Sequence, residues 1–235
     1  MNSASVPLIL YSGPLSMFGA KVQIALLEKG IDAEVVMVPF EMQRLYQPKH
    51  PEVLRINPKQ QVPVLVHGDL ELFDSTQIFE YLEELQPEPC LWPAGVADKA
   101  RARLLEHSSD EIYFPPVVQL MGLQDQLQDP VAVAAVAACT RYYLEMDAQL
   151  AGRNWLAGPY SFADIAFYMA QLFGARMGAP MGQATPRLLA WRDQMSLRPA
   201  VRQVAAAMGR YLVSQARPLP AFLGALLPPA PPPSS

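Results

Sequence analysis

The sequence predicts a two-part protein, an α/β unit followed by an all-α bundle, and three observations carry that expectation. Up to residue 85, short apolar runs of strand character alternate with segments of helical periodicity. A stretch with three prolines in ten residues, Gln86 to Gly95, then interrupts the chain as a linker. Beyond it strand signals vanish, and every periodic segment has helical spacing.

Leu8-Ile9-Leu10-Tyr11 reads as a short buried strand that ends at Ser12-Gly13-Pro14. A helix follows: Phe18, Val22, Ala25 and Leu26 recur at helical spacing, Ser16 stands at the N-cap, and Gly30 supplies the stop. Ala33 to Val38 is a second strand closed by Pro39, and residues 40–56 read as an irregular helical segment. Val64-Leu65-Val66, the turn His67-Gly68-Asp69, and Leu70 to Phe73 form an antiparallel hairpin. Ile78, Phe79, Leu82 and Leu85 mark the closing helix. The order β-α-β-(α)-β-β-α implies an α/β sandwich in which a parallel unit meets a hairpin.

The domains so expected are 1–85 (α/β), a linker over 86–97, 98–216 (all-α), and a Pro-rich tail over 217–235. Helices are expected over 98–127, 130–151, 161–178, 185–196 and 198–213, broken by Pro130, Gly152, Gly158-Pro159, Gly178-Ala179-Pro180 and Arg198-Pro199. Ser161-x-x-Asp164 is a capping box, with Tyr160 and Ile165 as its hydrophobic staple. The tail, with seven prolines from Arg217 on, reads as a disordered or polyproline end, or as a polyproline ligand for a partner.

Composition excludes several classes. A hydrophobic content of 51% over 235 residues is too high for a largely disordered chain and is enough for a sizeable core. A net charge of −4 argues against a nucleic-acid or anionic-membrane surface. Cys90 and Cys139 form no CxxC pair, and His50, His67 and His107 lack metal-ligand spacing, so neither a dithiol centre nor a metal is expected. No apolar run reaches the roughly 18 residues of a membrane span, and Met1 to Leu10 lacks a basic n-region, so a cytoplasmic location is expected.

The segment Asn57-Pro58-Lys59-Gln60-Gln61-Val62-Pro63-Val64-Leu65 is the most informative. Proline gives a sheet no N–H, so a Val-Pro step opening an apolar strand marks a strand start, an edge or a bulge. With a cis bond, the turn would present the N–H and C=O of Val62 outward. Asp74-Ser75 falls where the next strand becomes a helix, and there free N–H groups and the helix dipole favour a carboxylate. An extended-peptide clamp beside a carboxylate clamp predicts a small acidic peptide as ligand.

Several segments in one order and spacing resemble the cytosolic glutathione transferase superfamily over about residues 7–213. They are Leu10-Tyr11-Ser12 to Ser16-Met17-Phe18-Gly19-Ala20-Lys21-Val22, Ile24 to Ile31, Ile56-Asn57-Pro58 to Val62-Pro63-Val64-Leu65, Asp74-Ser75-Thr76 to Tyr81-Leu82, Ser161 to Ile165, and Trp191 to Arg198-Pro199. The resemblance implies a thioredoxin-like N-terminal domain that binds glutathione, an all-helical C-terminal domain that shapes the second-substrate pocket, and a homodimer. Glutathione is then the co-substrate and a hydrophobic electrophile its partner, in a detoxifying transferase without a metal.

By the same resemblance Ser16 is the catalytic hydroxyl, able to hydrogen-bond a thiolate at a helix N-terminus. Tyr11 and Ser12 are alternatives to it. Val62 pairs with the cysteinyl part of glutathione, Asp74 and Ser75 hold its γ-glutamyl end, and Gln60 with Lys49 and His50 reach the glycyl carboxylate. Met17, Phe18, Tyr113 and Phe114, with Met121 and Met169, are candidates for the second-substrate pocket, and Asp110-Glu111 for a subunit contact or a polar acceptor. The segment departs from the Ser-Pro-x-x-Arg-Lys-Val pattern of the Ser-type classes, since Met17 replaces the proline and Ala20 the arginine. Two other readings stay open: a non-catalytic interaction protein similar to the stringent starvation protein, and a glutathione-dependent aryl-ether-cleaving enzyme.

Overall fold

A computed structural model describes residues 6–228 of the chain. Strand β1 (Leu8–Ser12) pairs parallel with β2 (Glu34–Met37) and antiparallel with β3 (Val64–His67), and β3 pairs antiparallel with β4 (Leu70–Phe73). The sheet order is β2-β1-β3-β4. The parallel pair needs a crossover, and α1 (Met17–Lys29) supplies it. With α3 (Ser75–Leu85), α1 covers one face of the sheet over Leu10, Val22, Leu26, Leu65, Ile78 and Leu82. The short α2 (Pro51–Ile56) covers the other, where Val38, Val53 and Val64 meet Tyr11 and Tyr46. Leu10 and Tyr11 thus face opposite ways, as strand pleating requires. This is a thioredoxin-like unit.

The ends of α1 follow the residues expected to set them. Ser16 Oγ accepts the Gly19 N–H at 3.0 Å. Gly30 adopts φ 64°, which lets the Ile31 N–H close on the Leu26 carbonyl at 3.0 Å. Between residues 40 and 56 only Pro51–Ile56 is helical; the preceding stretch is instead closed by reciprocal backbone bonds between Glu41 and Leu45. Prolines at 39, 48 and 51 remove donors there, and only Pro51 sits where a helix tolerates one.

The linker is packed rather than solvated. The Glu83 carboxylate accepts the N–H groups of Leu91 (2.9 Å) and Trp92 (3.0 Å), and both side chains are buried. Trp92 stands edge-on to Phe79 of α3, whose ring stacks on Phe162 at 3.7 Å. The core therefore runs unbroken from one domain into the other.

The second domain comprises α4 (Val96–Ser108), α5 (Phe114–Leu120), α6 (Pro130–Gln149), α7 (Phe162–Arg176), α8 (Pro186–Leu197), α9 (Pro199–Ser214) and a short α10 (Ala221–Gly224). The helix expected over 98–127 is broken by a π turn at Ser109–Tyr113 and ends at Leu120. Pro115 and Pro116 have no N–H to donate, and the Phe114 N–H reaches back five residues to the Ser109 carbonyl. The tail also differs from expectation. Leu223 is fully buried, and Gly209 on α9 leaves the space that Leu223 and Leu227 occupy. Proline content masked the apolar side chains between the prolines; residues 229–235 lie outside the described residues.

Helix α7 is buried along almost its whole length. At its start Asp164, fully buried, accepts the N–H groups of Ser161 (3.0 Å) and Leu156 (2.9 Å), the Ser161 hydroxyl (3.2 Å), and the Trp191 indole (2.9 Å). Three ion-pair groups among the described residues tie the domains, one of them Arg103 on Glu80 through bonds of 2.9 and 2.8 Å. Arg198 grips Glu28 through two bonds of 2.8 and 2.7 Å, and the buried Lys21 bridges Glu106 (2.8 Å) and Asp110 (2.6 Å).

Candidate active site

A cavity of about 1000 Å³ opens between the two domains. The N-terminal domain lines it with Ser16, Met17 and Phe18 at the start of α1, Lys49 and His50 before α2, and Gln60 and Val62 before β3. The C-terminal domain lines it with Phe114 and Met121 around α5 and with Phe173 and Arg176 at the end of α7. Phe18 meets Phe114 edge-on at 5.2 Å, and Phe114 meets Phe173 at 5.5 Å. These three rings give the cavity a continuous apolar wall.

Ser16 is a helix cap and a cavity residue at once. Its oxygen accepts the Gly19 N–H, while its own proton has no acceptor among the described residues. It can therefore keep the cap and donate to an anion in the cavity, where the positive end of α1 reinforces the bond. The charge missing at Ala20 is not restored by its neighbour. Ala20 is buried, and the Lys21 ammonium is claimed by Glu106 and Asp110. Burial pushes the Asp110 carboxyl up to about 6 against the pull of Lys21.

The Val62–Pro63 bond is cis, and the ladder with β1 stops at Val64 opposite Tyr11. Val62 thus lies beyond the sheet, on the cavity. Asn57 builds the preceding turn: its amide donates to the Gln61 carbonyl at 2.6 Å, and its side-chain oxygen accepts the Lys59 N–H at 2.9 Å.

Asp74 and Ser75 do not line this cavity. Asp74 adopts φ 75° and caps α3 by accepting the N–H groups of Thr76 (3.1 Å) and Gln77 (3.3 Å) through one carboxylate oxygen. A left-handed, non-glycine residue costs on the order of 1–3 kcal/mol and persists where its surroundings fix it. Asp74 lines a separate cleft of about 560 Å³ with Glu80, Arg103, Glu106, Asp110 and Glu111, while Ser75 is buried and lines neither space.

Other expected residues are placed away from the cavity. Tyr113 is fully buried and bonds the Tyr143 hydroxyl at 2.5 Å, so it belongs to the core and not to a ligand pocket. Met169 is likewise core. Tyr11 packs against the His50 ring, and the buried Ser12 hydroxyl accepts from Gln23 at 2.8 Å; neither lines the cavity.

The chain matches the profile "Glutathione S-transferase, N-terminal domain" over residues 10–90 and "Glutathione S-transferase, C-terminal domain" over residues 111–199. The chain belongs to the glutathione S-transferase family. It is 32% identical to Glutathione S-transferase 3 of Zea mays over 213 residues, which cover 86% of this chain and 95% of that one. A crystal structure of a glutathione S-transferase from Rhodospirillum rubrum F11 superposes with a TM-score of 0.73 at 28% identity, covering 84% of this chain and 91% of that one. A Stringent starvation protein A homolog of Coxiella burnetii is 36% identical over 107 residues, but that match spans 45% of this chain and 47% of the homolog.

Within this transferase fold, Phe173 and two polar cavity residues escaped the sequence reading. Tyr46 lies in the irregular stretch before α2, so close to Gly13 that a Cβ there would stand 2.3 Å from its hydroxyl. Among the described residues that hydroxyl is buried with no hydrogen-bond partner, and the Leu15 amide lies near it without completing a bond. Burial pushes its ionisation well above the ordinary tyrosine range, so it is a neutral donor. Arg176 ends α7 over the Phe173 ring at 5.0 Å, and burial lowers it to about 10, still cationic at neutral pH. No motif marks Tyr46. Arg176 carried a faint signal, as the one cation in α7.

Proposed function

We propose that this family member is a catalytic glutathione transferase, which holds glutathione as a thiolate at Ser16 and conjugates it to a hydrophobic electrophile. The observation that carries this reading is the uncommitted Ser16 proton at the α1 N-terminus, facing a cavity walled by Phe18, Phe114 and Phe173. In the reaction the thiol loses its proton to solvent, the sulfur forms a C–S bond with the electrophile, and the leaving group departs with its electron pair. Stabilising the thiolate and holding the two reactants together supply the rate.

In this reading Val62 pairs its backbone with the cysteinyl part, and Lys49, His50 and Gln60 take the glycyl carboxylate. Ser75, through its hydroxyl and its own N–H, takes the γ-glutamyl carboxylate, since Asp74 already holds the N–H groups of Thr76 and Gln77, and the free oxygen of Asp74 accepts from its ammonium group. The acidic cleft beside Asp74 favours a cation there. Met17, Phe18, Phe114 and Met121 form the acceptor side. The enzyme is a cytoplasmic homodimer that needs no metal and detoxifies its acceptors.

Calorimetric titration with glutathione, followed by turnover of 1-chloro-2,4-dinitrobenzene, tests the proposal. Binding with turnover is expected, and a Ser16→Ala variant that keeps binding but loses most turnover supports the assigned role. No heat at millimolar glutathione sinks it and favours the second reading, a non-catalytic protein similar to the stringent starvation proteins. Ala20, Met17 and the partial match to the Coxiella burnetii homolog support that alternative. Cleavage of a β-aryl ether in place of chlorodinitrobenzene turnover would redirect the reaction while keeping glutathione.

A further inference from the structure

We infer that the acceptor side of the cavity is built for an organic anion, an aromatic acceptor carrying a carboxylate or sulfonate that Arg176 and Tyr46 bind together. Two residues that line this part of the cavity each carry a buried polar atom without a partner among the described residues. Among the described residues Nη1 of Arg176 is buried and bonded to nothing, and the guanidinium forms no ion pair. The Tyr46 hydroxyl is the second such group. Both residues line the cavity, and each acts electrostatically on the other.

An arginine buried without a counter-charge lowers stability, and a buried phenol without an acceptor adds to that cost. A ligand oxyanion relieves both: the guanidinium donates in its fixed planar fork, and the phenol adds a third donor. The surroundings favour the same charge. Lys49 and Arg217 also line the cavity, against the carboxylate of Asp125, while the charge of Arg44 is answered by Glu41 at 3.9 Å. The Phe173 ring beneath Arg176 and the Phe114 ring beside it give the aromatic body of such an acceptor its contact. The anion site stands on these residues alone; calling its occupant an acceptor rests on the transferase reading.

The test uses two pairs of probes that differ only in charge or nearly so. Fluorescence titration of the whole protein compares 8-anilinonaphthalene-1-sulfonate with the neutral N-phenyl-1-naphthylamine. The sulfonate is expected to bind at least ten-fold tighter, and Arg176→Gln to remove that preference. Arg176→Lys should retain part of it, and Tyr46→Phe should lose two- to five-fold. Equal affinities in the unaltered protein, or an equal loss of both probes in Arg176→Gln, overturn the inference. So does a variant that weakens glutathione but not the sulfonate, since Arg176 would then serve the glycyl carboxylate.

Turnover compares 4-chloro-3,5-dinitrobenzoate with 1-chloro-2,4-dinitrobenzene, each corrected for its uncatalysed rate. The ratio of kcat/KM values should favour the benzoate and fall at least ten-fold in Arg176→Gln. A sulfonate preference that depends on Arg176, without turnover of either electrophile, leaves the anion site standing and removes the transferase reading. Turnover of both electrophiles without any dependence of the ratio on Arg176 does the reverse.

Discussion

The two ends of α7 each hold a charge withdrawn from water, Asp164 wholly and Arg176 in part, and the two are treated in opposite ways. Asp164 at the start accepts bonds from two backbone N–H groups, a hydroxyl and an indole. Arg176 at the end has a nitrogen with no partner. A buried charge costs several kcal/mol unless its surroundings answer it, so a saturated ion belongs to the architecture and an unsaturated one is a cost carried for something else. Ser16 falls between them, its oxygen used by the helix and its proton left over.

Substitutions can break this contrast. Asp164→Ala should have the largest effect, about 3–5 kcal/mol of lost stability, since it strands the Leu156 and Trp191 donors at about 1–3 kcal/mol each and removes the rest of the network. The denaturant midpoint measures it, and a loss below about 1 kcal/mol would mean that the hub is dispensable.

Lys21→Met should come close to it at neutral pH, because it leaves Glu106 and Asp110 buried without their cation. The direction with pH follows from Asp110, which is already pushed up to about 6 with lysine present. A carboxyl whose folded-state pKa lies above its unfolded value takes up a proton on folding, so its contribution is fully present at the acid end and is lost as pH rises from about 4 to 6. The Lys21→Met deficit should therefore shrink between pH 8 and pH 5; a deficit that grows on acidification would contradict the assignment.

Ser16→Ala should cost only about 0.5–2 kcal/mol, the worth of a cap, while turnover falls far more than stability does. A purely structural serine would lose both in proportion. Arg176→Met should have the smallest effect on stability, between no change and a gain of about 1 kcal/mol, since an apolar chain of similar length replaces an unanswered charge. A clear loss of thermal stability in that variant would place Arg176 with Asp164, as architecture.

Legibility in the sequence followed how local each signal was. Gly30, Ser16 and the hairpin turn act through their immediate neighbours, and the elements they bound fall where their chemistry puts them. The Val62–Pro63 turn was readable for the same reason. The break at Ser109–Tyr113 was not, because helical periodicity continues through it and the prolines that favour it lie beyond it. Tyr113 looked like a pocket aromatic until Tyr143, thirty residues further along, took its hydroxyl. Tyr46 and Arg176 meet only because two domains close on each other, and no spacing within either segment encodes that meeting.

The end of the chain sets one more property. Arg217 to Pro220 lines the cavity between two fixed points, Leu212 buried at the end of α9 and Leu223 buried in α10. Pro218 and Pro220 stiffen the span, so it can neither bow outward far nor be drawn tight. The position of that wall is thus set by covalent length. One residue inserted between Arg217 and Pro220 is expected to act as a gauge change, moving the wall and shifting the range of ligand sizes the cavity accepts, which binding of ligands of graded size measures.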